Sequence, residues 1–252
     1  MGFKKVKSKS VFLSMMLCSV ASFSLLHADN LKKCESYEDR EVGCVAKLYK
    51  DGNLILETPF KNGVAQGIGK VYYESGNLKA EVSLKNGKEE GVEKRYYENG
   101  NLEYEIPYKN GKIEGIQKQY YENGDLYGEV TFKNDKAEGI AKYYDEDGNL
   151  EYKTPYKNGK MEGIVKAYYS SGDIQAEIPY TNDKTNGIVK FYDKGKKIIW
   201  QANAQNGKII SGKCVSGKVM TNAHLTRLTN EIDEFEIGGD YWYDICKQIN
   251  KI

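Results

Sequence analysis

The sequence predicts an all-β protein: an elongated antiparallel sheet of tandem 24-residue β-hairpins, ending in a short α-helical C-terminal cap. Three observations predict it. First, Gly67, Gly91, Gly115, Gly139, Gly163 and Gly187 stand 24 residues apart, and Lys70, Lys94, Lys118, Lys142, Lys166 and Lys190 keep the same interval. A fixed period in the range of roughly 20–50 residues marks a repeat architecture. Second, each interval holds two turn signals, Glu-Asn-Gly-Asn at 98–101 and Lys-Asn-Gly-Lys at 109–112 in one copy. Third, the segments between turns alternate, with Leu102, Tyr104, Ile106 and Tyr108 set against Glu103, Glu105 and Pro107. Period two is the signature of a strand, and turns this frequent leave no room for helix.

Along the chain, residues 1–28 read as a secretory signal peptide. Lys4, Lys5, Lys7 and Lys9 precede an apolar stretch from Val11 to Leu26, followed by Leu26-His27-Ala28. That order of basic, apolar and small residues is the export pattern, and the apolar stretch is short of the ~20 residues that span a bilayer. Its removal would take away four lysines and no acids, moving the formal charge from +1 to −3. A weakly acidic chain lacks the electrostatic footprint of a nucleic-acid binder. Residues 29–42 form an N-terminal cap, and seven units of 24 residues fill 43–210.

Residues 211–252 leave the repeat. Leu225, Leu228, Ile232 and Phe235 fall on one face of an amphipathic helix. Gly238-Gly239 stops it, and Asp240 opens a second short helix bearing Trp242, Ile245 and Ile249. Four cysteines follow the leader: Cys34, Cys44, Cys214 and Cys246. Export favours disulfides. Fourteen strands at ~4.8 Å would hold the two cysteine clusters ~65 Å apart in an open sheet, so the expected pairing is local, Cys34 with Cys44 and Cys214 with Cys246.

Turn length fixes which side chains share a face. A three-residue loop ending in a left-handed glycine pairs Tyr96 with Leu102, and an uninterrupted ladder then pairs Lys94 with Tyr104 and Val92 with Ile106. This register gathers Val or Ile, the Lys stem, Tyr and Leu on one face and leaves Glu57, Glu81, Glu105, Glu129 and Glu177 on the other. A slip of one residue would exchange the faces. Pro59, Pro107, Pro155 and Pro179 share one repeat position. Proline gives no N–H to a ladder, so that position falls at a bulge or where strands splay.

The phrase G-x-x-K-x-Y-Y-E-N-G-x-L-x-x-E-x-x-Y-K-N-G-K-x-E-G resembles the bacterial variant of the MORN repeat, found in proteins labelled YwqK-type antitoxins and in exported 24-residue repeat proteins. The resemblance covers about two thirds of the chain, residues 43–210 of 252. It implies tandem β-hairpins and a role in binding proteins or membranes, without catalysis. An antitoxin-like or immunity-like neutralising role follows from the same analogy.

The residues themselves point away from enzyme chemistry. One histidine, His224, follows the leader, so neither a triad nor a zinc set is offered. Asp145-Glu146-Asp147-Gly148-Asn149 aligns with the hairpin turn of the other units and lacks the later glutamate of a calcium loop. No cofactor or metal is expected. A contact surface is expected instead: eighteen of the 21 tyrosines lie within 43–210, and tyrosine supplies stiff amphipathic contact area. The candidate binding residues are Tyr72, Tyr96, Tyr120, Tyr144 and Tyr168 with Lys70, Lys94, Lys118, Lys142 and Lys166. The expected function is an exported, periplasmic or extracellular, non-enzymatic scaffold that binds another protein through this Tyr/Lys face. The alternative is an envelope structural protein that uses the lysine row on anionic lipid.

Overall fold

In a computed structural model, which describes residues 32–234 and 240–248, the chain is all-β. Twenty-one strands and three helices occur among the described residues. They fall into two compact units that divide after Asp135. The expected leader at 1–28, and the expected roles of Phe235, Gly238-Gly239 and Ile249, lie outside the described residues.

One copy shows how the repeat folds. Strand Gly91–Tyr96 pairs with Leu102–Lys109, which pairs in turn with the two-residue strand Lys112–Ile113. Asn110 and Gly111 join the second pair, with φ of 52° and 75°. A two-residue loop with both φ positive twists in the same sense as its strands, and Asn-Gly adopts it at low cost. The other turn is the expected three-residue loop. Tyr97 N–H donates to the Asn101 carbonyl and Gly100 N–H to the Tyr97 carbonyl, and Tyr96 pairs with Leu102.

Beyond that pair the register departs from the expected one. Glu103 is an extra residue, so Arg95 pairs with Tyr104, Lys94 with Glu105, Glu93 with Ile106 and Val92 with Pro107. The same slip recurs between Val71 and Tyr72, Gln119 and Tyr120, Tyr143 and Tyr144, Ala167 and Tyr168, and Phe191 and Tyr192. A β-bulge of one residue moves every later side chain to the opposite face. Two expectations are therefore corrected. The lysines share a face with the glutamates rather than opposing them, and Tyr104 and Ile106 lie on the opposite face from Val92 and Lys94 rather than beside them.

The prolines sit where strands splay. On its far side, strand Leu102–Lys109 pairs at Tyr108 with Ile113 and next at Glu105 with Lys118. Between these points the Pro107 carbonyl accepts from Glu114 N–H. Backbone N–H and C=O of one residue point the same way, so the N–H that Pro107 lacks would face the splayed gap. Its ring fills the notch left by Gly115, where φ is +122° and an added Cβ would stand 3.1 Å from Pro107 Cγ. Gly163 with Pro155 and Gly187 with Pro179 repeat this fit at 3.0 and 2.9 Å. Proline and glycine thus form one packing device.

The inner face of the first unit buries Ala65, Ala80, Val82, Leu84, Ile106, Tyr108 and Ile113, with Phe60, Tyr104 and Phe132 packed against them. Helix α1, Tyr37–Val42, closes its first edge. It was not foreseen in the sequence, although Ser36 and Asp39 form a capping box that marks its start. Arg40 lies over the Phe60 ring at 4.7 Å, and Cys34 bonds to Cys44. The inner face of the second unit buries Val165, Ile178, Val189, Phe191 and Trp200. Helices α2, Asn222–Asp233, and α3, Asp240–Gln248, lie at its C-terminal end. Leu225, Leu228 and Ile232 are buried from α2, and Trp242 and Ile245 from α3, as the periodicity predicts. Trp200 Nε1 donates to the Trp242 carbonyl at 2.9 Å, and Cys214 bonds to Cys246. Both disulfides follow the expected local pairing.

Candidate functional site: the outer face

The bulge assembles three parallel rows on the outer face of each unit. The first row is tyrosine. Four copies carry a Tyr-Tyr dyad just before the bulged hairpin loop, at 72–73, 96–97, 120–121 and 168–169, while Tyr144 and Tyr192 are followed by aspartate; the first and second rings have different duties. The first hydroxyl donates backward to a glutamate fifteen residues earlier: Tyr72 to Glu57 at 2.6 Å, Tyr96 to Glu81 at 3.0 Å, Tyr120 to Glu105 at 2.9 Å and Tyr192 to Glu177 at 2.9 Å. The second donates forward to the carbonyl of the next copy's first tyrosine, as Tyr73 does to Tyr96 at 2.6 Å and Tyr97 to Tyr120 at 2.7 Å. Burial, with the acceptor carboxylate adding to it, pushes the Tyr96, Tyr120 and Tyr192 hydroxyls up to about 12. They are held protonated as donors and are poor nucleophiles. The tyrosines therefore tie each copy to its neighbours while their ring faces line the surface.

The second row runs across the strands through lysine and glutamate. In the first unit the order is Lys47, Glu57, Lys70, Glu81, Lys94, Glu105, Lys118 and Glu129, each the cross-strand partner of the next. Charge alternates without exception, and opposite charges directly across a sheet stabilise it. Lys47 reaches Glu57 at 2.7 Å. Burial works to raise the Glu57 carboxyl, but Lys47 and the Tyr72 hydroxyl outweigh it and hold the group below its ordinary range. In the second unit the corresponding order is Lys142, Lys153, Lys166, Glu177, Lys190, Gln201 and Lys213. Position 153 carries lysine where five copies carry glutamate and one carries glutamine, and Lys153 Nζ lies over the Tyr168 ring at 5.5 Å.

The third row is aliphatic and exposed: Ile68, Val92, Ile116, Ile140, Ile164 and Ile188, from 38% to 59% accessible. The sequence places these residues on one face with lysine and tyrosine, and the structure keeps them there; what it removes from that face is Tyr104, Ile106 and their repeat mates. The signal lies in the strand itself. Ile164, Lys166 and Tyr168 alternate within one strand, and so must share a face with the lysine rather than with Val165.

Within each unit the structure brings the candidate residues onto one face: Tyr72, Tyr96 and Tyr120 with Lys70, Lys94 and Lys118 in the first, and Tyr144 and Tyr168 with Lys142 and Lys166 in the second. It adds the glutamates and the aliphatic row to them. Carboxylates in this array meet lysine or tyrosine partners. The chemistry on offer is contact: aliphatic area, ring faces and ordered charge.

No curated protein matches the chain. Residues 65–86, 89–110, 113–134, 137–158 and 161–182 each match the family described as the MORN repeat variant, so five tandem segments of the hairpin ladder are similar to that repeat.

Proposed function

We propose that the chain is an exported, non-enzymatic repeat scaffold that binds another protein through the outer face of its sheet. The observation that carries this reading is the exposed aliphatic row. Val92 and Ile116 in the first unit, and Ile140, Ile164 and Ile188 in the second, are each about half accessible; they recur at one repeat position, with the lysine row and then the tyrosine row beside them in each unit. Contiguous exposed apolar area rimmed by polar groups is typical of interaction surfaces. The two disulfides and the basic-apolar-small order of the first 28 residues support export.

Photo-crosslinking in the native compartment tests the reading. A photoreactive side chain replaces Ile116 or Ile164 on the outer face, or Ser75 in a hairpin loop as a control. Discrete protein adducts from the two outer positions, and not from Ser75, are expected. Adducts to lipid alone, or equal labelling from the loop, would contradict the proposal.

A further inference from the structure

The outer charge row is neutral in the first unit and strongly basic in the second. Four lysines alternate with four glutamates from Lys47 to Glu129. From Lys142 to Lys213, five lysines stand with one carboxylate and one amide. Lys153 is the pivot: its cross-strand neighbours are Lys142 on one side and Lys166 on the other. Like charges directly opposite in a sheet destabilise it. The fold does not require lysine here, because glutamate, or glutamine at 201, fills the same position in the other copies. Glu177, the carboxylate of this row, is shared by Lys166 at 3.7 Å and Lys190 at 3.8 Å.

We propose that this second-unit stripe is the docking site for an extended acidic segment of a partner protein, with the Lys142–Lys153–Lys166 run as its centre. The inference rests on the scaffold reading above and names the chemistry of its partner. Charge complementarity selects an anion, and the arrangement selects its kind. Within the run Lys142–Lys153–Lys166 the cations stand in single file, one per strand, at ~4.8 Å intervals. Ile140, Ile164 and Ile188 run beside them, half exposed. A single extended polypeptide that alternates carboxylate and aliphatic side chains can set its acids over the lysines while its apolar groups meet the isoleucines. Nucleic acid would leave the aliphatic row unused. A bilayer surface presents a two-dimensional array of headgroups, to which a one-residue-wide stripe is poorly matched.

Fluorescence anisotropy with the full chain tests this. The probe is a labelled twelve-residue peptide alternating Glu and Val. Two variants exchange the character of the rows: Lys153→Glu restores alternation in the second unit, and Glu81→Lys breaks it in the first. Wild type is expected to bind the peptide with an affinity that falls as salt rises. Lys153→Glu is expected to weaken binding roughly tenfold, while melting no lower than wild type because two like-charge neighbours are removed. Glu81→Lys is expected to retain binding or to strengthen it. Equal binding by wild type and Lys153→Glu overturns the inference, as does absence of peptide binding. Lys153-dependent binding to phosphatidylserine vesicles or to single-stranded DNA, without peptide binding, overturns it in favour of those surfaces. Protein adducts at Ile116 and Ile164 would survive each of these failures, so loss of the acidic-segment inference is distinguishable from loss of the scaffold reading.

Discussion

Residues up to Asp135 and residues from Lys136 onward repeat one phrase, yet they fill its variable positions in opposite ways. In the first unit the outer row is balanced and the inner face carries charge: Glu93 is fully buried, and Arg95 Nε meets it at 2.6 Å. In the second unit the buried polar residues are the uncharged Thr154 and Thr185, and the outer row carries the imbalance. The slots of Glu93 and Arg95 are held there by Val165 with Ala167, and by Val189 with Phe191. Positions that set turn geometry hardly vary, because their positive φ admits few residues beyond Gly, Asn and Asp. Positions that only require a face vary widely. The comparison teaches that the repeat tolerates charge on either face provided that the neighbouring strands answer it. Where they do not, as at Lys153, a reason beyond folding is needed.

The largest effects are expected where one unit has no substitute for what it buries. Trp200 stacks on Phe191 at 5.6 Å between centroids, and Trp242 closes on it at 5.2 Å. Trp200→Ala is expected to cost about 3–5 kcal/mol in denaturant unfolding. A loss under 1 kcal/mol would show that α3 does not seal this end. The charged pair of the first unit predicts a sharper contrast. Arg95→Ala alone leaves the Glu93 carboxylate without its cation and is expected to cost ~3–5 kcal/mol. Glu93→Val combined with Arg95→Ala installs the residues of the second unit and is expected to be neutral or stabilising. If the double variant is as unstable as the single one, the pair is not interchangeable with apolar packing.

The two disulfides compare the ends directly. Cys214–Cys246 closes a separation of 32 residues and Cys34–Cys44 one of 10. In the loop-entropy account, replacing the first pair by serine should cost about 3–4 kcal/mol and the second about 2–3. Equal losses would mean that chain entropy is not the main term.

How far the sequence discloses this molecule depends on which physical signal each feature leaves. Turns are legible because positive φ demands Asn or Gly, and those residues recur in phase. The terminal helices are legible because Leu225, Leu228 and Ile232 keep a helical period. The bulge is not, since Glu103 is an ordinary polar residue and any side chain can occupy that position. Because the bulge decides the faces, reading past it exchanges Lys94 and Val92 with Arg95 and Glu93. Glu93 deepened the error. A carboxylate at a core slot makes the inner-facing positions Glu93 and Arg95 look polar, so Ile106 reads as a partner of Val92 rather than of Glu93. Tyrosine and lysine were placed together correctly, because Lys94 and Tyr96 lie two apart in one strand before the bulge intervenes.

Smaller effects separate the tyrosines of the two units. Tyr96→Phe removes the donor to Glu81 and should cost about 1 kcal/mol. Tyr168→Phe should change stability by only a few tenths, because a phenylalanine ring keeps the contact with Lys153. Matching losses in the two variants would show that the ring, not the hydroxyl, holds each copy to the next.

Least in magnitude, but well defined in sign, is the pH response of the two helix caps. Asp39 in the first unit accepts from the Lys32 ammonium and from Glu35 and Ser36 N–H. The Lys32 contact, reinforced by those two amides, lowers its carboxyl to about 2 from an ordinary 3.8. A depressed folded-state value means that the cap contributes fully above the ordinary carboxylate range and loses its contribution as pH falls through about 2. The cap of α2 depends on the hydroxyl of Thr221 and on His224, and carries no carboxylate to protonate in that window. Carboxyl-carbon NMR should place the Asp39 midpoint near 2, with Glu35 and Ser36 amide protection falling alongside it between pH 4 and 2. The α2 amides should keep their protection over that interval. An Asp39 midpoint near 4, or simultaneous loss at both helices, would mean that acid acts on the fold as a whole rather than through this cap.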